Sequence, residues 1–219
     1  MKLFLDTANL ATIKKFVAMG IVDGVTTNPS LLAKEGFCSK QGFLDLCAAV
    51  PGPVSIEIVE KEPEAVYRQA CEIAALASNA VVKIPFAQEY LPVIARLAQE
   101  GVTLNITLVF SSLQALFVAK LGVAYISPFV GRIDDSAADG MILIEELMVL
   151  KAHYGFSSEI LAASLRSVRH WQQAALLGAD IATVPASVIE QACKHPLTTA
   201  GIASFDADWN KLGKKNLFD

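Results

Sequence analysis

Histidine is scarce in this sequence, with three among 219 residues. His153 and His170 fall on predicted helices and His195 precedes Pro196, so none stands at a predicted strand end. A catalytic metal centre needs several such ligands converging on one place, and none is expected here. The four cysteines, Cys38, Cys47, Cys71 and Cys193, include no CxxC pair. They read as reduced structural thiols of a cytoplasmic protein, not as disulfides or zinc ligands. Charged residues make up only 18%, the net charge is -4 and the isoelectric point is about 5.4. With no basic stripe, nucleic acid is not an expected partner. The most apolar stretch, residues 104–131, is interrupted by Gln114 and Lys120 and parses as strand–helix–strand, so no membrane span is expected. The opening Met-Lys-Leu-Phe-Leu-Asp reaches an aspartate too soon for a secretory leader. There is no GxGxxG fingerprint, linker or low-complexity segment.

Apolar residues, by contrast, are plentiful. Hydrophobic residues account for 53% and the mean hydropathy is +0.46. That supplies a large core and a surplus for contacts between subunits. The chain also has a cadence: helical segments end at Gly101, Gly122, Gly155 and Gly178, and a short β-type run follows each. Eight strand candidates emerge, at 2–7, 24–28, 54–59, 80–85, 103–110, 124–130, 158–164 and 180–185. Each is followed by a helix-like segment, with Ser187–Cys193 as the eighth, and Ser111 caps the helix after strand five. Eight strand–helix units in this length predict one α/β domain over 1–219, a (β/α)8 TIM barrel. An open doubly wound sheet is the other arrangement considered. A final amphipathic helix is expected over 203–213. Its Phe205, Trp209 and Leu212 face would pack either on the barrel or on a neighbouring subunit.

Lys83 lies in Asn79-Ala-Val-Val-Lys-Ile-Pro85, an apolar run stopped by proline. Desolvation disfavours an ammonium there, and a neutral amine attacks carbonyls to form a Schiff base. The other reading is a strand-end lysine that snorkels to water. In a barrel, active groups project from the C-terminal ends of strands. Those ends carry Asp6, Thr26 and Asn28, Glu57, Lys83, Asn105 and Thr107, Ser127, Phe129 and Arg132, then Ser164 and Arg166. Polar groups inside apolar strands need a partner or a task. Together they offer an amine, two carboxylates, hydroxyls and amides suited to sugar hydroxyls, and two arginines suited to a phosphate. Each has a structural alternative. Asp6 could cap the first helix, Glu57 could simply pair with Lys83, and Arg132 could bridge to Asp134 or Asp135. Arg166 and Arg169 could be first-turn helix residues, and Asn28 before Pro29 is also a turn signal.

From Leu3 to about Trp209 the chain resembles the transaldolase family, in its short-chain branch that includes fructose-6-phosphate aldolase. The motifs that carry the resemblance are Phe-Leu-Asp6-Thr-Ala, Gly24-Val-Thr-Thr-Asn28-Pro-Ser-Leu-Leu, Val-Val-Lys83-Ile-Pro, Leu-Asn105-Ile-Thr107-Leu-Val-Phe-Ser and Ser127-Pro-Phe-Val-Gly-Arg132-Ile-Asp-Asp. The resemblance implies a (β/α)8 barrel using neither metal nor organic cofactor. It implies that Lys83 forms the Schiff base with a ketose phosphate and that Asp6 moves protons during carbon–carbon cleavage. Glu57 and Thr107 would hold and activate a water. Thr26, Asn28, Asn105 and Ser164 would hold the dihydroxyacetone unit or orient Lys83, with Ser127 nearby, and Arg132 and Arg166 would bind phosphate.

Within this branch, the resemblance separates two activities. The aldolase-type pattern has glutamine for the strand-three glutamate, tyrosine for the strand-six phenylalanine, lysine for the strand-seven arginine and an apolar residue at the asparagine. Glu57, Phe129, Arg166 and Asn105 all follow the transaldolase pattern. Expected substrates are therefore sugar phosphates of the pentose phosphate route. The alternatives are an aldolase that releases free dihydroxyacetone and a non-catalytic sugar-phosphate-binding barrel. One departure is Leu165 in Ser164-Leu165-Arg166, where the family usually has phenylalanine; its side chain is expected to point away from the site. The resemblance further implies a homo-oligomeric ring, a pentamer or decamer, with the terminal helix on a neighbour.

Overall fold

A computed structural model describes residues 1–36, 39–213 and 216–218. The elements run β1 (Lys2–Asp6), α1 (Leu10–Val17), β2 (Gly24–Thr26), α2 (Pro29–Lys34), α3 (Lys40–Ala49), β3 (Val54–Glu57), α4 (Pro63–Ala74) and β4 (Ala80–Pro85). After a 3-10 turn at Gln88–Tyr90 come α5 (Leu91–Gln99), β5 (Leu104–Val109), α6 (Ser112–Ala119), β6 (Tyr125–Pro128), α7 (Val130–Asp134) and α8 (Gly140–Tyr154). The chain finishes with β7 (Glu159–Ala162), α9 (Val168–Leu176), β8 (Ile181–Val184), α10 (Ala186–Ala192) and α11 (Pro196–Lys211). All eight strands pair in parallel in sequence order, and β8 closes on β1. This is the expected (β/α)8 barrel, not an open sheet.

Strand alternation builds two distinct interiors. Outward residues such as Leu5, Val25, Ile56, Val82, Ile106 and Ile126 join the helices in one continuous apolar shell. Inward residues form a second, small cluster of Phe4, Val81, Tyr125, Leu161, Ala163 and Ile181. Phe4 and Tyr125 meet edge to face at 6.2 Å and fill the barrel's lower layer. Gly24 on β2 makes room for this plug: a Cβ there would lie 2.7 Å from the Phe4 ring. Two residues further along their strands, the inward positions turn polar: Asp6, Thr26, Glu57, Lys83, Ser127 and Thr183. The apolar plug thus closes the floor, and the polar layer faces the mouth.

The glycines after α5, α6, α8 and α9 have φ of 79°, 75°, 62° and 87°, as the cadence predicts. Ser111 Oγ accepts from Gln114 N and caps α6. Three details differ from expectation. First, β5 is not one regular strand. Ile106 pairs with Ile126 but Val109 with Pro128, so β5 carries one extra residue, and Leu108 sits at φ 55°. This bulge turns Leu108 toward the cavity described below.

Second, α11 begins at Pro196, earlier than 203, because His195 caps it and proline occupies its first position. Phe205 on this helix and Leu212 at its C-cap are 76% and 66% exposed while Trp209 is half-buried, so most of the expected face is left open by its own barrel. Third, the first helix is capped by Asn9, whose Oδ1 accepts from Thr12 N at 2.8 Å, which leaves Asp6 uncommitted to capping. Cys47, Cys71 and Cys193 are free thiols, and Cys38 lies outside the described residues. Among the described residues, no helix is long and apolar enough to cross a membrane.

Candidate active site

The polar layer opens into a cavity of about 460 Å³ at the C-terminal ends of the strands. Of the expected site residues, Asp6, Thr26, Asn28, Glu57, Lys83, Ser127, Phe129, Arg132, Ser164 and Arg166 line it. Asn105 and Thr107 do not reach the cavity wall and lie wholly buried behind it. Leu165 packs in the outer core, away from the cavity.

Lys83 is 3% exposed. It does not snorkel: its Nζ lies 3.0 Å from Glu57 Oε2 and donates to the Thr27 carbonyl oxygen at 2.9 Å. The pairing follows from sheet register, because Glu57 and Lys83 are direct partners on β3 and β4. The next strand places Asn105 beside Lys83. Asn105 is anchored at both ends, its Nδ2 donating to Ser55 Oγ at 3.1 Å and its Oδ1 accepting from Ser127 Oγ at 2.7 Å. β3, β5 and β6 are thereby tied together across β4, the strand of the lysine, which holds the wall of the site rigid.

Thr107 is unusual. Its hydroxyl is buried with no hydrogen-bond partner among the described residues, and it precedes the left-handed Leu108. A lone buried hydroxyl is costly unless something later satisfies it, such as a water or a reacting group. Ser164, at φ 59°, is a second left-handed residue on the cavity wall. Backbone strain of this kind concentrates at functional sites.

Asp6 faces the cavity from β1. Its carboxyl is pushed above the ordinary value by burial, and the Lys83 charge and a hydrogen bond from Thr26 pull it part of the way back. Thr26 Oγ1 donates to Asp6 Oδ1 at 2.8 Å and also lies 2.6 Å from Thr183 Oγ1. Thr183, on β8, lines the cavity but is absent from the sequence-based set. The signal was available, since a threonine inside Ile-Ala-Thr-Val obeys the same rule of polar residues in apolar strands.

At the rim, the arginines differ from the simple alternatives. Arg166 precedes α9 and is not part of its first turn, whereas Arg169 lies within it. Both ends of the Arg166 fork reach Asp135, with Nη2 to Oδ2 at 2.6 Å and Nη1 to Oδ1 closer still. This guanidinium holds the Asp135 carboxyl below the usual carboxylate range. Asp134 instead lies 3.3 Å from His170 Nε2. Arg132 pairs with no carboxylate among the described residues, and its guanidinium lies 5.2 Å from the centre of the Phe129 ring. Gly131 lets the Arg166 stem cross its backbone, since a Cβ there would stand 2.8 Å from Arg166 Nε. Asn28 both caps α2 through Oδ1, accepting from Leu31 N at 3.0 Å, and lines the cavity. The turn reading and the site reading of Asn28 are therefore compatible.

A closed parallel barrel with an amine, carboxylates and guanidiniums gathered in one cavity at its C-terminal mouth has the architecture of a barrel enzyme. The model of the family described as transaldolase/fructose-6-phosphate aldolase matches residues 3–216, and the chain belongs to that family. A probable transaldolase of Thermodesulfovibrio yellowstonii is 49% identical over 214 residues, 98% of this chain and 100% of the relative. One from Syntrophobacter fumaroxidans is 48% identical over 99% of this chain and 100% of its own. One from Methanococcus maripaludis is 48% identical over 95% and 97%.

Among solved structures, an inosine 5'-monophosphate dehydrogenase from Legionella pneumophila superposes with a TM-score of 0.57 at 12% identity, over 86% of this chain and 58% of that one. A mutant flavocytochrome b2 with pyruvate bound does so with a TM-score of 0.60 at 11% identity, over 84% and 56%. At such identities these two show a shared barrel fold and nothing of function.

Proposed function

We propose that the protein transfers a dihydroxyacetone unit between ketose and aldose phosphates through a Schiff base on Lys83, as a transaldolase of the pentose phosphate route. The observation that carries this reading is the buried Lys83–Glu57 pair, 3.0 Å apart on the cavity wall. A buried ion pair contributes little to stability, so its position at the mouth of a barrel points to chemistry.

The Lys83 amine adds to the ketose carbonyl carbon, and the carbinolamine loses water to give a protonated imine. Glu57 and the unpartnered Thr107 hydroxyl handle that water. Asp6 then takes the proton from the C4 hydroxyl as the C3–C4 bond breaks. The electron pair flows into the imine to leave an enamine, and an aldose phosphate departs. An acceptor aldehyde receives the enamine carbon, Asp6 returns the proton to the new hydroxyl, and hydrolysis frees Lys83. Thr26, Asn28, Ser127 and Ser164 position the three-carbon unit, Asn105 orients Lys83 and Ser127 from behind the wall, and Arg132 and Arg166 take the phosphate. The raised Asp6 carboxyl suits a group that must both accept and release a proton. Neither metal nor organic cofactor enters these steps.

Fructose 6-phosphate turnover, with and without erythrose 4-phosphate, tests the reading by following glyceraldehyde 3-phosphate. Product only in the presence of acceptor is expected. Equal product without acceptor means the aldolase reading, and none in either case returns the sugar-phosphate-binding barrel. The Phe129 ring offers no hydroxyl to protonate the enamine, so Phe129→Tyr is expected to raise acceptor-independent cleavage in the same assay. No rise would remove Phe129 from the account.

The exposed Phe205 on α11 and Leu212 at its C-cap support a homo-oligomer in which this helix docks on a neighbour, in a ring of five or ten. Light scattering should then give a mass several times 23.4 kDa, and a monomer would overturn it. The cytoplasm is the compartment consistent with sugar-phosphate substrates and free thiols.

A further inference from the structure

We infer that Thr183 is a positioning residue for Asp6, acting through Thr26 as a two-hydroxyl relay that runs from β8 across β1 and β2. The inference rests on the assignment of Asp6 as the proton-moving group. Thr183 is 3% exposed, and its hydroxyl lies 2.6 Å from that of Thr26, which in turn lies 2.8 Å from Asp6 Oδ1. Each hydroxyl has a single proton. If Thr26 spends its proton on the Asp6 carboxylate, the 2.6 Å contact can be filled only by the Thr183 proton. The relay therefore has one direction while Asp6 is ionised: Thr183 donates to Thr26, and Thr26 donates to Asp6. A donor that itself receives a hydrogen bond is polarised and donates more strongly.

Thr183 thus helps keep Asp6 ionised and fixes which of its oxygens is already occupied, leaving Oδ2 for the substrate hydroxyl. The charged groups around Asp6 are Lys83 on β4 and its partner Glu57 on β3, with Arg132 and Arg166 across the cavity at the rim. Thr183→Val leaves all of these in place.

Thr183→Val preserves shape and removes the hydroxyl, and Thr183→Ser restores it. Two readouts are needed. The first is an infrared pH titration of the Asp6 carboxyl, identified by the band lost in Asp6→Asn, and it needs no turnover. Its midpoint is expected to move to higher pH in Thr183→Val and to return in Thr183→Ser. A midpoint that is unchanged, or that falls because Thr26 had been donating to Thr183, overturns the relay. The second is the pH profile of turnover. In Thr183→Val, kcat is expected to fall about tenfold with little change in KM. The acid limb should move with the infrared midpoint, and Thr183→Ser should recover most of the rate. A Thr183→Ser as slow as Thr183→Val overturns the relay. If the unmutated protein turns over no ketose phosphate, the functional reading fails, and the infrared titration still decides the relay. Should Thr183→Val fail to fold by circular dichroism, Thr183→Cys, with its much weaker donor, replaces it with the same expected midpoint shift.

Discussion

Lys83→Met is expected to lower turnover by roughly 10⁴-fold or more, because no other group can form the covalent intermediate. Borohydride in the presence of fructose 6-phosphate should fix a covalent adduct on the unmutated protein and none on the variant, as read by intact-mass spectrometry. An adduct of equal yield on Lys83→Met would remove Lys83 from the mechanism. The stability change should be much smaller than the catalytic one. Breaking a buried ion pair costs about 3–5 kcal/mol when the remaining charge is stranded. Here the remaining carboxylate is Glu57, whose side chain is 11% exposed and faces the cavity, so water can reach it. Methionine also fills the lysine stem's volume without a buried ammonium. Thermal unfolding should therefore keep Lys83→Met close to the parent, and Lys83→Met combined with Glu57→Gln at or above it. A collapse of stability would mean that the pair serves the fold first.

Asp6→Asn should separate the two halves of the reaction. Loss of a general acid–base group reduces turnover by about 10²–10⁴-fold. The imine on Lys83 should still form, so the borohydride adduct is expected to persist while aldose release fails. Loss of the adduct as well would place Asp6 in imine formation. The variant is also expected to be more stable than the parent at pH values above the native Asp6 value. Burial raises the Asp6 carboxyl above its unfolded value, so the folded state binds the proton more tightly than the unfolded state. Between those two values stability falls as pH rises, and above the native value the parent carries the full penalty of a buried carboxylate. Asparagine removes that penalty. The gain in melting temperature should thus be largest above the native Asp6 value and shrink as pH falls toward the unfolded one. A gain that grows on acidification would contradict the shift.

The strands were legible as short apolar runs, most of them carrying β-branched residues and several set off by a glycine or proline. The alternation of side chains along a strand made Lys83, Glu57, Asp6 and Ser127 legible as inward groups. The Leu108 bulge was not legible, since nothing about a leucine announces a left-handed backbone and the strain is sustained by the sheet around it. The start of α11 had a local signal in His195-Pro196, outweighed by the helical spacing of Phe205, Trp209 and Leu212.

Ion-pair partners were only partly legible. Glu57 with Lys83 follows from equal positions on adjacent strands. Arg132 has Asp134 and Asp135 within three positions, yet it is Arg166, 31 residues from Asp135, that takes the latter. Local proximity does not decide where a long side chain reaches once two loops pack together.

By itself the sequence determined the periodicity of each element, the residue types on each inward face and, through its motifs, the family. The tertiary structure decided which of those inward groups touch. Thr26 and Thr183 stand 157 positions apart, and they meet only because the sheet curls until β8 pairs with β1. Closure is a property of all eight strands together, their twist and stagger, and no segment read alone carries it.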